Sequence, residues 1–167
     1  DYTVTDIPEE LLGADKIIFP GQGEAASAIE YLKYRKLDGV LRSISQPFLG
    51  ICLGMQLMCS HTEENNTDTL GIIPVKVKRF TQGKVPHMGW NTLDTASSAL
   101  FKNISAGDYM YFVHSYFVEL SAYTIAQATY QIPFSAAIQH ENYWAIQPHP
   151  EKSGDAGMQL LENFLEL

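Results

Sequence analysis

Phe48-Leu49-Gly50-Ile51-Cys52-Leu53-Gly54-Met55-Gln56 is the stretch on which the fold turns. An apolar run ends in Gly-x-Cys-x-Gly and leads straight into a helical pattern. This is the arrangement of a nucleophile elbow, with cysteine where a hydrolase carries serine. A strand delivers such a residue to its carboxyl end, and a tight turn lifts it clear of the backbone. The helix that follows aims its free N–H groups, and the positive end of its dipole, at the sulfur. A thiol of pKa about 8.5 is only a few per cent thiolate at neutral pH, so this placement promotes nucleophilicity. The same residues also suit a buried small hydrophobe in a strand-turn-helix, because free cysteine is commonly a core residue.

The rest of the chain leaves room for an enzyme. Its 167 residues, 46% of them hydrophobic, read as a single domain over residues 1–167 with a substantial core. A net charge of −8 argues against a nucleic-acid surface, which needs clustered Lys and Arg. No apolar stretch approaches the roughly 20 residues of a membrane span. No signal peptide is visible, and the chain opens at Asp1. Cys52 and Cys59 lie seven apart across an expected turn and helix, a rise of about 10 Å and too far for a disulfide. A reducing cytoplasm fits best.

Strands and helices alternate at first. Residues 2–5 read as a short strand, and residues 6–12 as a helix with Pro8 in its first turn and Gly13 at its end. Residues 16–20 form a second strand, stopping at Pro20-Gly21-Gln22-Gly23. A helix follows from about Glu24, and Leu37, Val40, Leu41 and Ile44 repeat at helical spacing. Residues 47–50 are a third strand, residues 53–60 the helix after the elbow, and residues 62–69 a polar surface loop. Further on, 74–79, 109–113, 123–130, 135–139 and 143–147 are strand candidates with little helix between them. A last helix spans about 156–167, with Met158, Leu161 and Leu165 on one face. The pattern is one α/β domain with a parallel core and an antiparallel extension. Ligands in such sheets sit at the carboxyl ends of strands, where Cys52 falls.

A thiol nucleophile needs a base, and the base needs a group to hold it. Of His61, His87, His114, His140 and His149, only His149 has a carboxylate two residues on, in Gln147-Pro148-His149-Pro150-Glu151. Pro150 disfavours helix at His149, and in an extended segment residues i and i+2 project to one side. Glu151 can then orient the His149 imidazole, although a surface His-Glu pair at a proline-rich strand exit would read the same. The developing oxyanion also needs donors. Leu53 N–H is one, and the Gly21-Gln22-Gly23 segment is a source of another, since glycines let the backbone approach a ligand. An ordinary strand-to-helix turn would use the same residues.

Gly50-Ile51-Cys52-Leu53-Gly54-Met55-Gln56 together with His149-Pro150-Glu151 resembles the class I (triad) glutamine amidotransferases. Three blocks sharpen the match: Lys84-Val85-Pro86-His87-Met88-Gly89-Trp90-Asn91, Tyr111-Phe112-Val113-His114-Ser115-Tyr116, and His149-Pro150-Glu151-Lys152-Ser153-Gly154. They resemble the branch that forms the glutaminase subunit of imidazole glycerol phosphate synthases, over the whole of residues 1–167. The resemblance implies a three-layer, flavodoxin-like α/β fold. It implies Cys52 as nucleophile, His149 as base and Glu151 as its orienter, with Gly21, Gln22, Gly23 and Leu53 at the oxyanion. It also implies Gln56, Glu64, Ser115 and Tyr116 around the substrate L-glutamine, and Trp90, Tyr111 and Lys152 facing a partner. Neither a metal nor a cofactor is implied.

The implied chemistry is hydrolysis of L-glutamine to L-glutamate and ammonia through a cysteine thioester. The implied partner is a cyclase (β/α)8-barrel subunit, which uses the ammonia to make imidazole glycerol phosphate and the aminoimidazole ribonucleotide of purine synthesis. The two form a heterodimer with an ammonia channel. The family's glutaminase waits for the partner's ligand, and Gly21-Gln22-Gly23 is the expected switch. Members of the family begin with a further strand and helix, so the stretch from Asp1 is expected to lack them. Pro148 stands where a bulky hydrophobe is common, and Gln22 where a small one is. GMP synthase, anthranilate synthase and pyridoxal phosphate glutaminases share the elbow and His-Pro-Glu, but residues 85–91 and 113–116 argue against them. A redox-sensing binding module would need neither His149 nor Glu151.

Overall fold

The strand that carries Cys52 is flanked on both sides. The computed structural model describes residues 2–167, with only the backbone described for Thr95. In it, β1 (Ile17–Gly21) and β2 (Phe48–Cys52) pair in parallel, and β2 pairs in parallel with β12 (Tyr143–Ile146) on its other edge. All five residues of β2 are buried. A strand covered on both faces needs a continuous apolar run, which is what Phe48-Leu49-Gly50-Ile51-Cys52 supplies. Phe48 and Leu49 point to opposite faces, one into the core below and the other into the core above.

The lower core is closed by helices α1 (Pro8–Gly13), α2 (Ala25–Tyr34), α3 (Leu37–Arg42) and α4 (Leu53–Met58). The helical spacing across residues 25–44 belongs to two helices. Lys36 sits at φ 57°, and this left-handed residue breaks the run between them. Beyond α4 come the short strands β3 (His61–Thr62) and β4 (Thr67–Asp68), with a 3-10 turn at Glu64–Asn66 between them. The expected polar loop is thus a small hairpin that lengthens the sheet.

The antiparallel extension uses β5 (Lys76–Arg79), β7 (Thr95–Ala96), β9 (Tyr116–Val118), β10 (Thr124–Tyr130) and β11 (Ile132–His140). Along the main path the order is β1-β2-β12-β11-β9-β5-β3-β4, with β10 and β7 branching from β11. A separate antiparallel pair, β6 (His87–Thr92) with β8 (Tyr109–His114), lies over the upper core. α5 (Gly154–Glu166) covers the rest of that face. Three layers result, as the sequence implies, around a mixed sheet: the parallel strands β1, β2 and β12 form one end of it, and an antiparallel extension makes up most of the rest.

Two further expectations about elements fail. Residues 2–5 form no strand, and Tyr2 and Val4 stand in solvent. On α5 the buried stripe is Gly157, Leu160, Asn163 and Phe164, while Met158 and Leu165 are 53% and 61% exposed. The helix is turned by about one residue because two polar constraints outweigh the apolar stripe. Asn163 Nδ2 donates to Leu100 O and Lys102 O at 2.9 and 2.7 Å, and Gly157 packs its bare Cα against Pro150 O. The further strand and helix expected before Asp1 lie outside the described residues. On that side β1 has no neighbour among them, and Ile18 is exposed.

Candidate active site

β1 and β2 end side by side, Gly21 opposite Cys52, so both strands leave the sheet at one rim. Cys52 turns there at φ 54°, ψ −108°. Such a backbone costs a non-glycine residue about 1–3 kcal/mol and persists only where its surroundings enforce it. The neighbouring glycines show what enforces it. A Cβ on Gly54 would collide with Phe19 O, and one on Gly50 with Met58 Sδ. One on Gly21 would meet Gly54 N at 2.7 Å and Leu53 Cβ at 2.8 Å. Gly-x-Cys-x-Gly is therefore a packing requirement, since the backbone of β1 lies directly against the start of α4.

Cys52 Sγ lies 3.7 Å from Gln147 Nε2 and 3.9 Å from Val113 O. Burial pushes the thiol up to about 11, and the charge of Glu151 adds to the rise. The Leu53 N–H, the Gln147 amide and Lys152 pull the other way without offsetting it. The expectation that the elbow alone favours thiolate is corrected here. α4 has only six residues, and loss of water around the sulfur outweighs its N-terminal donors. Cys59 is a buried free thiol as well, held high by burial alone.

His149 is buried at φ −97°, ψ 99°, and its Nδ1 stands 2.8 Å from Glu151 Oε1. The extended segment expected over residues 149–151 is only half right. Pro150–Lys152 is a 3-10 turn, and this turn brings the half-exposed Glu151 back to the ring. With Nδ1–H donated to the carboxylate, Nε2 carries a free lone pair, and it is buried without a hydrogen-bond partner. Ser153, which has no role assigned from the sequence, anchors this turn. Its Oγ donates to His149 O at 2.6 Å and accepts from Tyr111 N at 2.9 Å.

A pocket of about 380 Å³ opens over the sulfur. Cys52, His149, Gly21, Gln22, Gly23, Leu53, Gln56, Glu64, Ser115 and Tyr116 all line it. Glu151 stands behind His149, outside the lining. Glu64 is half-buried, and its Oε2 accepts from Ala25 N at 2.8 Å at the head of α2. Glu24 caps the same helix, held down to about 2 by the Ser27 and Ala26 N–H groups. The two glycines of the Gly21-Gln22-Gly23 segment differ. Gly21 is a contact glycine, whereas Gly23 has φ 107° and open space around it, the place where only glycine turns freely. Gln22 is exposed and Pro148 is buried.

Two polar features lie beyond the sequence reading. Gln147, quoted within the His149 motif but given no role, is fully buried beneath Cys52. His87 and His114 form a directed chain: Asn91 Nδ2 to His87 Nε2 at 3.4 Å, His87 Nδ1 to His114 Nε2 at 3.0 Å, His114 Nδ1 to Tyr116 O at 2.7 Å. Because Tyr116 O can only accept, each histidine carries its proton on Nδ1. Burial lowers His114 to about 3 and His87 to about 4, so both stay neutral.

Trp90, Tyr111 and Lys152 come together on one exposed patch. The Trp90 and Tyr111 rings meet edge-on at 5.9 Å, and Lys152 Nζ lies 5.8 Å above Tyr111. Trp90 is 56% exposed, and Met88 and Tyr109 beside it are also in solvent. Lys152 lines the pocket too, so the patch borders the pocket.

The sequence model of the class-I glutamine amidotransferases matches residues 2–167. The chain belongs to this family. Among amidotransferase relatives, imidazole glycerol phosphate synthase subunit HisH of Bacteroides fragilis is 51% identical over 171 residues, covering 100% of this chain and 87% of that protein. The subunit of the same name from Escherichia coli K12 is 46% identical over 164 residues, covering 96% and 84%. A crystal structure of a glutamine amidotransferase superposes with TM-score 0.72 at 18% identity, covering 95% of this chain and 82% of that one. A glutamine amidotransferase from Thermotoga maritima gives 0.64 at 19%, covering 98% and 66%. The two structures establish the amidotransferase fold. No helix among the described residues is long and apolar enough to cross a membrane.

Proposed function

We propose that this chain is the glutaminase subunit of an imidazole glycerol phosphate synthase in histidine biosynthesis. The observation that carries the reading is 51% identity across the whole chain to a subunit of that name, with Cys52 and His149 facing one pocket. Because burial keeps Cys52 protonated in the free chain, the sulfur attacks as a thiol losing its proton rather than as a standing thiolate. His149 Nε2 takes that proton as Sγ bonds to the side-chain amide carbon of L-glutamine. Leu53 N–H and the Gly21-Gln22-Gly23 backbone receive the developing oxyanion. Nε2–H then protonates the departing nitrogen, ammonia leaves, and a glutamyl thioester remains on Cys52. Water, deprotonated by Nε2, attacks the thioester carbon; the carbon–sulfur bond breaks, Sγ takes the proton back from Nε2, and L-glutamate leaves. Glu151 holds the imidazole and stabilises its cationic form throughout.

Gln56, Glu64, Ser115 and Tyr116 hold the substrate: Glu64 faces its ammonium, and Gln56 Oε1 is the pocket acceptor left once Nε2 is engaged. The aromatic patch of Trp90, Tyr111 and Lys152 receives a cyclase (β/α)8-barrel subunit, to which the ammonia passes. The pair works in the cytoplasm, where both free thiols stay reduced. The test is glutamate release from glutamine by the full-length protein, with and without the cyclase subunit and its ribonucleotide ligand. Stimulated release is expected. No release under full stimulation refutes the proposal.

A further inference from the structure

The orientation of the side chains under the thiol is set by a single main-chain atom. Tyr116 O only accepts, and it takes Gln56 Nε2 at 3.1 Å as well as His114 Nδ1. Gln56 is thereby fixed with its nitrogen toward Tyr116, and the same nitrogen stands 3.1 Å from Gln147. A donating nitrogen requires an oxygen opposite, so Gln147 presents Oε1 to Gln56. Its Nε2 is left on the sulfur side, 3.7 Å from Cys52 Sγ. Gln147 cannot swing away to water, because it is fully buried and its backbone N–H is tied to Ala136 O at 2.8 Å. The sulfur thus lies between Val113 O, which suits a thiol proton, and an amide N–H, which suits a thiolate.

We propose that Gln147 is a positioning residue for the nucleophile: its amide donates to Cys52 Sγ as negative charge gathers there, and its oxygen locks Gln56 against the pocket wall. The proposal rests on the glutaminase reading for the reaction served, but the hydrogen bond to sulfur stands apart from it. A charge-assisted hydrogen bond strengthens as its acceptor ionises, so the contact favours the attacking form over the resting one. His149, Glu151 and Lys152 are the other titratable groups around the sulfur, with His114 behind them and Glu64 across the pocket, and Gln147→Met removes none of them and adds no charge.

The test is the rate of Cys52 alkylation by iodoacetamide in the full chain, from about pH 6 to about pH 11, with Cys52→Ala as the blank. Gln147→Met is expected to displace the profile upward by about one pH unit, a roughly tenfold slower reaction near neutrality that narrows to about fivefold at pH 11, where the wild-type thiol is about half ionised. Gln147→Glu keeps the shape and the acceptor for Gln56, and its buried carboxyl, once ionised toward the alkaline end, sets a negative oxygen against the sulfur and displaces the profile further there. It also covers the case in which the Met variant does not fold. A profile unmoved in the folded variants, or lowered by one factor at every pH, overturns the proposal, since Gln147 then only fills space. Glutamate release by the wild-type complex judges the glutaminase reading separately. Its absence alongside a displaced alkylation profile refutes that reading and leaves this one intact.

Discussion

Replacing Cys52 by glycine should stabilise the protein relative to replacing it by alanine, the reverse of the usual order. At an ordinary position glycine costs roughly 0.5–1 kcal/mol against alanine, because the unfolded chain gains freedom. Cys52 sits at φ 54°, ψ −108°, where any Cβ carries about 1–3 kcal/mol of strain. Both substitutions remove the sulfur, so its burial and its contact with Gln147 cancel in the comparison. The difference leaves glycine ahead by about 1 kcal/mol, or roughly 2–4 °C in melting temperature for a domain of this size. Differential scanning calorimetry of the two variants reads this directly. A glycine variant that melts below the alanine variant would show that the elbow holds no strain, and the account of Gly50 and Gly54 as its enforcers would fail with it.

Glu151→Gln leaves the fold unchanged but no longer stabilises the imidazolium, and should lower kcat for glutamine hydrolysis by about a hundredfold or more, measured as glutamate release. Gly23→Ala, forced to φ 107°, should alter stimulation of glutaminase by the partner's ligand, whereas Gly21→Ala should chiefly lower the melting temperature, because its Cβ meets Gly54 and Leu53. Equal effects of the two on stimulation would place the switch outside Gly23. His87 and His114 have folded pKa values below the unfolded value, so the unfolded chain binds more protons and stability falls as pH drops from about 6.5 toward 4 and 3. Urea midpoints measured at about pH 7 and pH 4.5 should show this fall, and a His87→Phe/His114→Leu variant should flatten it. Cys52→Ala should abolish glutaminase activity yet leave ammonia-dependent synthesis by the complex largely intact, as assayed with ammonium salts.

What could be read from the sequence is what depends on neighbours along the chain. The Gly-x-Cys-x-Gly turn is such a case, as its glycines answer to contacts made within and beside the turn itself. The His149-Pro150-Glu151 spacing is another, although the 3-10 turn that brings Glu151 back was not foreseen. β6 gives no strand signal because its alternation is inverted: His87 is buried and Gly89 and Asn91 are half-buried, while Met88 and Trp90 face outward. A pattern with polar residues inward gives no period-2 apolar signal. β9 is three residues long and too short to carry one. Gln147 carries no sequence signal for a different reason. Its importance comes from the parallel pairing of β12 with β2, which sets the end of one strand beneath the end of the other, and no local pattern encodes that. On α5 the apolar stripe misled because Asn163 and Gly157 fix the helix by polar contact and close approach.

The carbonyl of Tyr116 has a consequence for how this pocket can change over generations. Both of its lone pairs are occupied, and from them follow the proton positions of two histidines and the facing of two amides. A main-chain oxygen is present whatever residue stands at that position. Tyr116 lines the pocket and its side chain packs on the lower core, so a change of its shape alters the pocket, while the polarity delivered to the sulfur is inherited unaltered. Substrate fit and nucleophile chemistry can therefore drift apart at one residue, the first written in its side chain and the second in its backbone.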